Sequence, residues 1–267
     1  MDARPIGVFD SGVGGLTVVS QMRRMLPGES IVYFGDLARL PYGSKSKQSI
    51  IQFSHQIMRF LLGQDVKAVI IACGTASSNS LEEMRASYSI PIMGVVEPGA
   101  HAAANKTRNK RIGVIGTEAT VSSGAYGQLL AGLDPEIQVF SKACPLFVPL
   151  VEEGWFDDGV TREVIHRYLI PLKEEGVDTL ILGCTHYPLL RGLIQEEMGE
   201  QVTLVDPSQE AALLMKSFLI SHQRLAENAE GSVRFYASDS TEKFQRLAEV
   251  ILDSPMMPVK RIAIENY

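Results

Sequence analysis

Cysteine is scarce in this 267-residue chain, tryptophan occurs once, and no block of basic residues is present. Cys73, Cys144 and Cys184 are odd in number and far apart, so they form neither a disulfide framework nor a Cys-x-x-Cys redox pair. Such usage fits a reducing cytoplasm. No apolar run approaches a membrane span, and Met1-Asp2-Ala3-Arg4-Pro5 leads into an apolar strand rather than a signal peptide. Net charge is −6, and RNP-like or Cys/His-finger signatures are missing, so nucleic acid is not an expected partner. The glycine-rich turn at residues 10–15 lacks the third glycine of a dinucleotide fingerprint, that position being Thr17. It also lacks the Gly-Lys-Ser/Thr of a phosphate loop. What remains is ordinary globular composition, 45% hydrophobic and 21% charged, enough for one large domain or two smaller ones.

Two stretches dominate what is present: Ala72-Cys73-Gly74-Thr75-Ala76-Ser77 and Gly183-Cys184-Thr185-His186-Tyr187-Pro188. Each follows an unbroken apolar run, Val69-Ile70-Ile71 and Leu180-Ile181-Leu182, as buried parallel strands do. Each cysteine is then expected at the carboxyl end of a strand, the edge where open α/β sheets bind ligands. A following helix N-terminus there stabilises thiolate. A free cysteine after a strand often only fills a core. Two of them in similar turns argue for more.

Strands are expected at Ile6–Phe9, Ile31–Phe34, Ala68–Ala72 and Ile92–Val96, the last ending in Glu97-Pro98-Gly99. Helices are expected at Leu16–Leu26, Ser46–Leu62 and from about Asn79 to Tyr88. The pattern then restarts. Arg111-Ile112-Gly113-Val114 echoes Pro5-Ile6-Gly7-Val8, Gly183-Cys184-Thr185 echoes Ala72-Cys73-Gly74, and Val205-Asp206-Pro207 echoes Val96-Glu97-Pro98. Three echoes in the same order suggest an internal duplication. A strand at Ile137–Phe140 and a helix at Thr161–Glu175 complete the second half, and a helix at Ala211–Arg224 follows the second repeat. A late strand, Val233–Ala237, and a late helix, Thr241–Leu252, have no counterpart and are expected to join the first sheet. The fold class is therefore α/β, with two similar open-sheet lobes related by pseudo-twofold symmetry and a ligand cleft between them. Residues 1–97 plus 208–267 form the first, discontinuous lobe and 98–207 the second.

A cleft with one thiol on each side suits inversion of a carbon centre. One group removes a proton from one face and a like group returns one to the other. Asp10 and His186 are candidates to hold the thiol protons, and Glu152 is a third titratable group. Asp10 ends a strand in a glycine turn, where packing alone explains a carboxylate poorly. Cys144 precedes Pro145 and has no match in the first half, so it reads as structural. Competing uses remain open. Cys73 with Cys184 and His186 could bind zinc, though the usual ligand spacings are absent. A Cys184–His186–Glu152 hydrolase leaves Cys73 unexplained. A non-catalytic amino-acid-binding protein would use the cysteines only for packing.

These residues resemble the glutamate racemase family, within the cofactor-independent aspartate/glutamate racemases, over nearly the whole chain. The resemblance rests on Gly7-Val8-Phe9-Asp10-Ser11-Gly12-Val13-Gly14-Gly15-Leu16, Pro41-Tyr42-Gly43, the first cysteine turn, Ala143-Cys144-Pro145-Leu146-Phe147-Val148-Pro149-Leu150 and Leu182-Gly183-Cys184-Thr185-His186-Tyr187-Pro188. It implies an isomerase of two α/β lobes, often dimeric, that interconverts L- and D-glutamate for peptidoglycan without pyridoxal phosphate or metal. By the same resemblance Cys73 and Cys184 are the acid/bases, assisted by Asp10, Glu152 and His186. Substrate contacts fall on Asp10, Ser11, Tyr42, Gly43, Gly74, Thr75, Thr117, Thr120, Thr185 and His186. Aspartate or another acidic amino acid is the alternative substrate. The family usually has Asn where this chain has Gly74. Both residues tolerate a left-handed backbone, so a turn needing that conformation would explain the exchange. Some relatives carry an N-terminal extension tied to activation by a peptidoglycan precursor, and the start of this chain close to its first strand does not imply such control.

Overall fold

The computed structural model describes residues 2–227, 230–239, 242–254 and 258–267. The chain begins β1 (Ile6–Asp10), α1 (Leu16–Met25), β2 (Ile31–Gly35), α2 (Lys47–Leu62), β3 (Ala68–Ile71), α3 (Gly74–Ser87), β4 (Ile92–Gly94) and α4 (Val96–Lys106). It continues with β5 (Arg111–Gly116), α5 (Glu118–Ser122), α6 (Ala125–Leu133), β6 (Gln138–Ala143), α7 (Phe147–Glu152), α8 (Gly159–Glu174), β7 (Thr179–Leu182), α9 (Arg191–Met198), β8 (Thr203–Val205) and α10 (Pro207–Ser221). The end of the chain supplies β9 (Val233–Ala237), α11 (Glu242–Leu252) and β10 (Val259–Arg261).

Every residue of β1, β3 and β7 is buried, which is why these strands read as uninterrupted apolar runs. They are central strands of two parallel sheets, ordered β10-β9-β2-β1-β3-β4 and β6-β5-β7-β8. The order β2-β1-β3-β4 is repeated as β6-β5-β7-β8, the topology that an internal duplication predicts. β9 pairs in parallel with β2, so the late strand does join the first sheet, and β10 extends that sheet further. One apolar cluster runs from Val8 and Ile70 of the first sheet through Ala100 of α4 and Ala211 of α10 to Val114 and Ile181 of the second. Small residues on α4 and α10 let these helices lie together between the sheets, with α10 also against α1 and α4 against α6.

Several boundaries differ from the sequence reading. α3 starts at Gly74, five residues before the expected Asn79. Its first turns are small and polar, weak helix formers by propensity. They are held because Ser80 Oγ donates to Ala76 O at 2.8 Å and Asn79 Nδ2 to Thr75 O at 2.9 Å. β4 stops at Gly94, and Val96 to Gly99 form the first turn of α4 instead of closing a strand. Pro98 is tolerated in that turn because its missing N–H has no helical acceptor there. By register Val205 pairs with Ile181 as Met93 pairs with Ile70, so Val205 matches Met93 rather than Val96 in the repeat. The helices α4, α6 and α9 carry no strong periodic signal and were not expected from sequence. Thr241 lies outside the described residues, and the late helix is described from Glu242 to Leu252.

Candidate active site

Cys73 caps the N-terminus of α3, two residues beyond β3, with its side chain 4% exposed. Cys184 occupies the equivalent place two residues beyond β7 and is 8% exposed. The two turns part company after the thiol. Cys73 is followed at once by an α-helix. Cys184 is followed by a short helical turn, Tyr187–Leu190, and α9 starts only at Arg191. In place of a helix N-terminus, Cys184 has His186, whose Nδ1 lies 3.8 Å from its sulfur.

Both thiols line one cavity of about 120 Å³. The first sheet contributes Ser11, the loop of Leu40, Pro41, Tyr42, Gly43 and Ser44, and Gly74 and Thr75. The second contributes Thr117, Glu118, Pro145, Val148, Thr185 and His186. Asp10, Thr120 and Glu152 stand behind this lining. Asp10 is fully buried at the end of β1. Its Oδ1 accepts the Gly12 N–H at 2.8 Å and its Oδ2 accepts the Thr185 hydroxyl at 3.3 Å, a bond that crosses between the sheets. Glu152, at the end of α7, lies with Oε1 3.6 Å from Nε2 of His186, and that nitrogen makes no hydrogen bond. Thr75, Thr117 and Thr120 form a triangle of hydroxyls, at 2.8 Å for Thr75 to Thr117, 3.0 Å for Thr117 to Thr120 and 3.4 Å for Thr75 to Thr120. Leu40, Ser44 and Glu118 were missed from sequence because single loop side chains carry no spacing signal.

The electrostatics are uneven. Burial pushes the Cys73 thiol up to about 12, and the Asp10 charge adds to this, against hydrogen bonding with Ser11 and with the Ala76 N–H. Ser11 Oγ is 3.5 Å from the Cys73 sulfur. Burial also raises Asp10 above the usual carboxylate range, opposed by His186 and the Gly12 N–H. Burial lowers His186, but Cys184 and Glu152 beside it more than offset that and raise it to about 10. Cys144 is wholly buried under Phe147 and Tyr187, and Tyr187 donates to its carbonyl at 2.9 Å. Burial raises its thiol, and it does not line the cavity.

Gly74 has no positive φ, so a left-handed turn does not explain it. It lies against backbone instead: a Cβ built on Gly74 would fall well inside van der Waals contact distance of the Gly183 carbonyl oxygen, directly before Cys184. Gly14 likewise faces Thr185 and His186 with no room for a side chain.

The sequence profile of the Asp/Glu/hydantoin racemase family matches residues 6–215. A glutamate racemase of Geobacter metallireducens is 45% identical over 99% of this chain and 98% of its own. Among solved structures, a glutamate racemase isoform of Bacillus anthracis superposes with a TM-score of 0.95 at 40% identity, covering 98% of both chains. The Francisella tularensis glutamate racemase, solved in complex with D-glutamate, gives 0.94 at 38% identity over all of both chains. With one four-strand order repeated in a six-stranded and a four-stranded sheet, a thiol from each in one cavity, and full-length similarity of this degree, the chain belongs to the Asp/Glu/hydantoin racemase family.

Proposed function

We propose that this protein interconverts L- and D-glutamate by moving the Cα proton between Cys73 and Cys184, and so supplies D-glutamate for peptidoglycan. The observation that carries the reading is the pair of thiols lining one cavity from corresponding turns of two sheets. Cα loses its proton on one face to give a planar carbanion, which is protonated on the other, and the roles exchange when the reaction runs backwards. Cys73, held protonated by burial and by Asp10, rests as the acid. On the other side His186 Nδ1 is placed to take up and return the Cys184 proton, and Glu152 stabilises the imidazolium that results. Hydroxyls of Ser11, Thr75, Thr117 and Thr185 together with the first amides of α3 supply donors for the two carboxylates without an arginine. Support for glutamate comes from the named relatives, one of them with D-glutamate bound.

The test is to follow circular dichroism with single enantiomers of glutamate and of aspartate. Glutamate signals should decay to zero from both sides and aspartate should change little. Cys73→Ala and Cys184→Ala should each lower the rate by about 10²- to 10⁴-fold, the range of one acid–base group, while Cys144→Ala keeps it. Near-normal turnover in either of the first two variants would remove the two-thiol mechanism.

A further inference from the structure

Asp36 has no part in the chemistry above, yet its side chain is wholly buried. A carboxylate in such a place persists only where donors surround it. It directly follows β2, and its N–H donates to Asp10 O at 3.0 Å, so its backbone is fixed beside the end of β1. Its two oxygens face different parts of the molecule. Oδ1 accepts from Ser238, just beyond β9, at 2.8 Å. Oδ2 accepts from Arg39 Nε at 2.6 Å and from the Tyr42 hydroxyl. Both donors to Oδ2 belong to the segment that makes the Leu40–Ser44 wall of the cavity.

That wall reaches from one half of the molecule to the other. A Cβ added to Gly12 would come within 3.1 Å of Leu40 Cδ2, and one added to Gly43 within 2.9 Å of Thr117 Cβ in the second half. Beneath the wall, the Arg39 guanidinium lies 4.1 Å from the centroid of the Phe53 ring, and that ring lies 5.5 Å from the ring of Tyr42. Apolar ring contacts of this kind are non-directional. The bond from the Tyr42 hydroxyl to a charged oxygen is directional, and it fixes both distance and angle.

We infer that Asp36 is a positioning residue for substrate: through Oδ2 it holds Tyr42, and with it the Tyr42–Gly43 wall, in the placement that receives the amino acid. The inference rests on the racemase reading above. Without that bond the loop divides its time among several placements. Apparent affinity then falls in proportion to the fraction that remains competent. A complex that does form still holds Cα between the same two thiols, so the loss falls on KM and leaves kcat.

Three variants read this in the circular dichroism assay with L-glutamate. Tyr42→Phe keeps the ring and removes only the hydroxyl, and it should raise KM about tenfold with kcat within roughly threefold. Asp36→Asn keeps the shape and gives up the charge. It should raise KM by about three- to tenfold in otherwise wild-type protein, but by less than about twofold when added to Tyr42→Phe, because a group acting through Tyr42 then has nothing left to act on. Ser238→Ala removes the donor to the other oxygen, and it should lower the melting temperature by a few degrees with KM within about twofold. The inference is overturned by an unchanged KM in Tyr42→Phe, by a kcat that falls as far as KM rises, or by additive KM effects of the pair. A KM rise in Ser238→Ala equal to that in Tyr42→Phe overturns it too, since that is the mark of a carboxylate that only stabilises the fold. Should Asp36→Asn fail to fold, Tyr42→Phe and Ser238→Ala still decide the matter. Wild-type protein that leaves both glutamate enantiomers unchanged removes the functional reading and this inference with it. An active wild type with an indifferent Tyr42→Phe removes this inference alone.

Discussion

His186 is under opposing influences, and their balance can be measured. Burial disfavours its charged form, whereas Cys184 at 3.8 Å and Glu152 at 3.6 Å favour it, and the outcome is a value near 10. A group raised above its ordinary 6.5 contributes stability that is fully present below pH 6.5 and is lost as pH rises through about 10. Thermal melts across that window should therefore show wild type losing several degrees relative to His186→Asn. Parallel curves would mean that the imidazolium is not the favoured state. At this scale the sequence was informative about chemistry and silent about reach. Both cysteines, Asp10 and His186 stand out as residues that a strand-end turn does not need for packing. Nothing in a one-dimensional spacing says that Asp10 meets Thr185 rather than the cavity, or that Gly74 meets Gly183. The glycine exchange shows this best. A left-handed turn would explain an exchange of Asn for Gly, yet Gly74 has no positive φ and lies against the Gly183 carbonyl, a neighbour distant in sequence.

The elements around the site owe their placement to short polar segments, and there hydrophobic periodicity has least to say. α5 is five residues long and is capped by Thr117, whose Oγ1 accepts the Thr120 N–H at 3.2 Å. The same oxygen lies 2.8 Å from Thr75 Oγ1 at the start of α3, so one hydroxyl caps a helix of the second half and ties it to a helix of the first. Loss of such a cap costs about 1 kcal/mol. Loss of a hydrogen bond to a charged ligand costs about 1.5–3 kcal/mol, or roughly 10- to 150-fold in affinity. Thr117→Ala should accordingly lower the melting temperature by a few degrees and raise KM for glutamate at least tenfold, with kcat within a few-fold. An unchanged KM would show that the hydroxyl serves the helix and not the substrate. The start of α3 was misplaced from sequence for a related reason. Serine and asparagine usually compete with helix backbone, yet here their side chains bond back to carbonyls one turn earlier and keep the helix running to the thiol.

For the whole molecule, the sequence repeat reveals the two four-stranded halves, since central parallel strands have few ways to hide an apolar run. The asymmetry is harder to read. Nothing local in Val233–Ala237 says that it must pass the second half and pair with β2, a strand some 200 residues earlier. The consequence is that Phe235, Tyr236, Phe244 and Leu247 are part of the first sheet's core, although none of the described residues after 227 lines the cavity. Tyr236 packs edge-on against Phe60 of α2, with ring centroids 5.1 Å apart, and Tyr267 does the same at 5.4 Å. Ser238 donates to the buried Asp36 at 2.8 Å, and Asp36 in turn accepts from Tyr42 and, at 2.6 Å, from Arg39. Tyr42 lines the cavity, so the end of the chain reaches the site through two hydrogen bonds. Ending the chain at residue 227 would strip β9 from β2 and leave wholly buried Val32 and Phe34 on an open strand edge, a template for aggregation. The shortened chain should be insoluble or lack a cooperative melt, despite keeping both thiols and every residue around them. A soluble 1–227 fragment that melts cooperatively and racemises glutamate would show that β9 and the segments after it merely decorate the sheet.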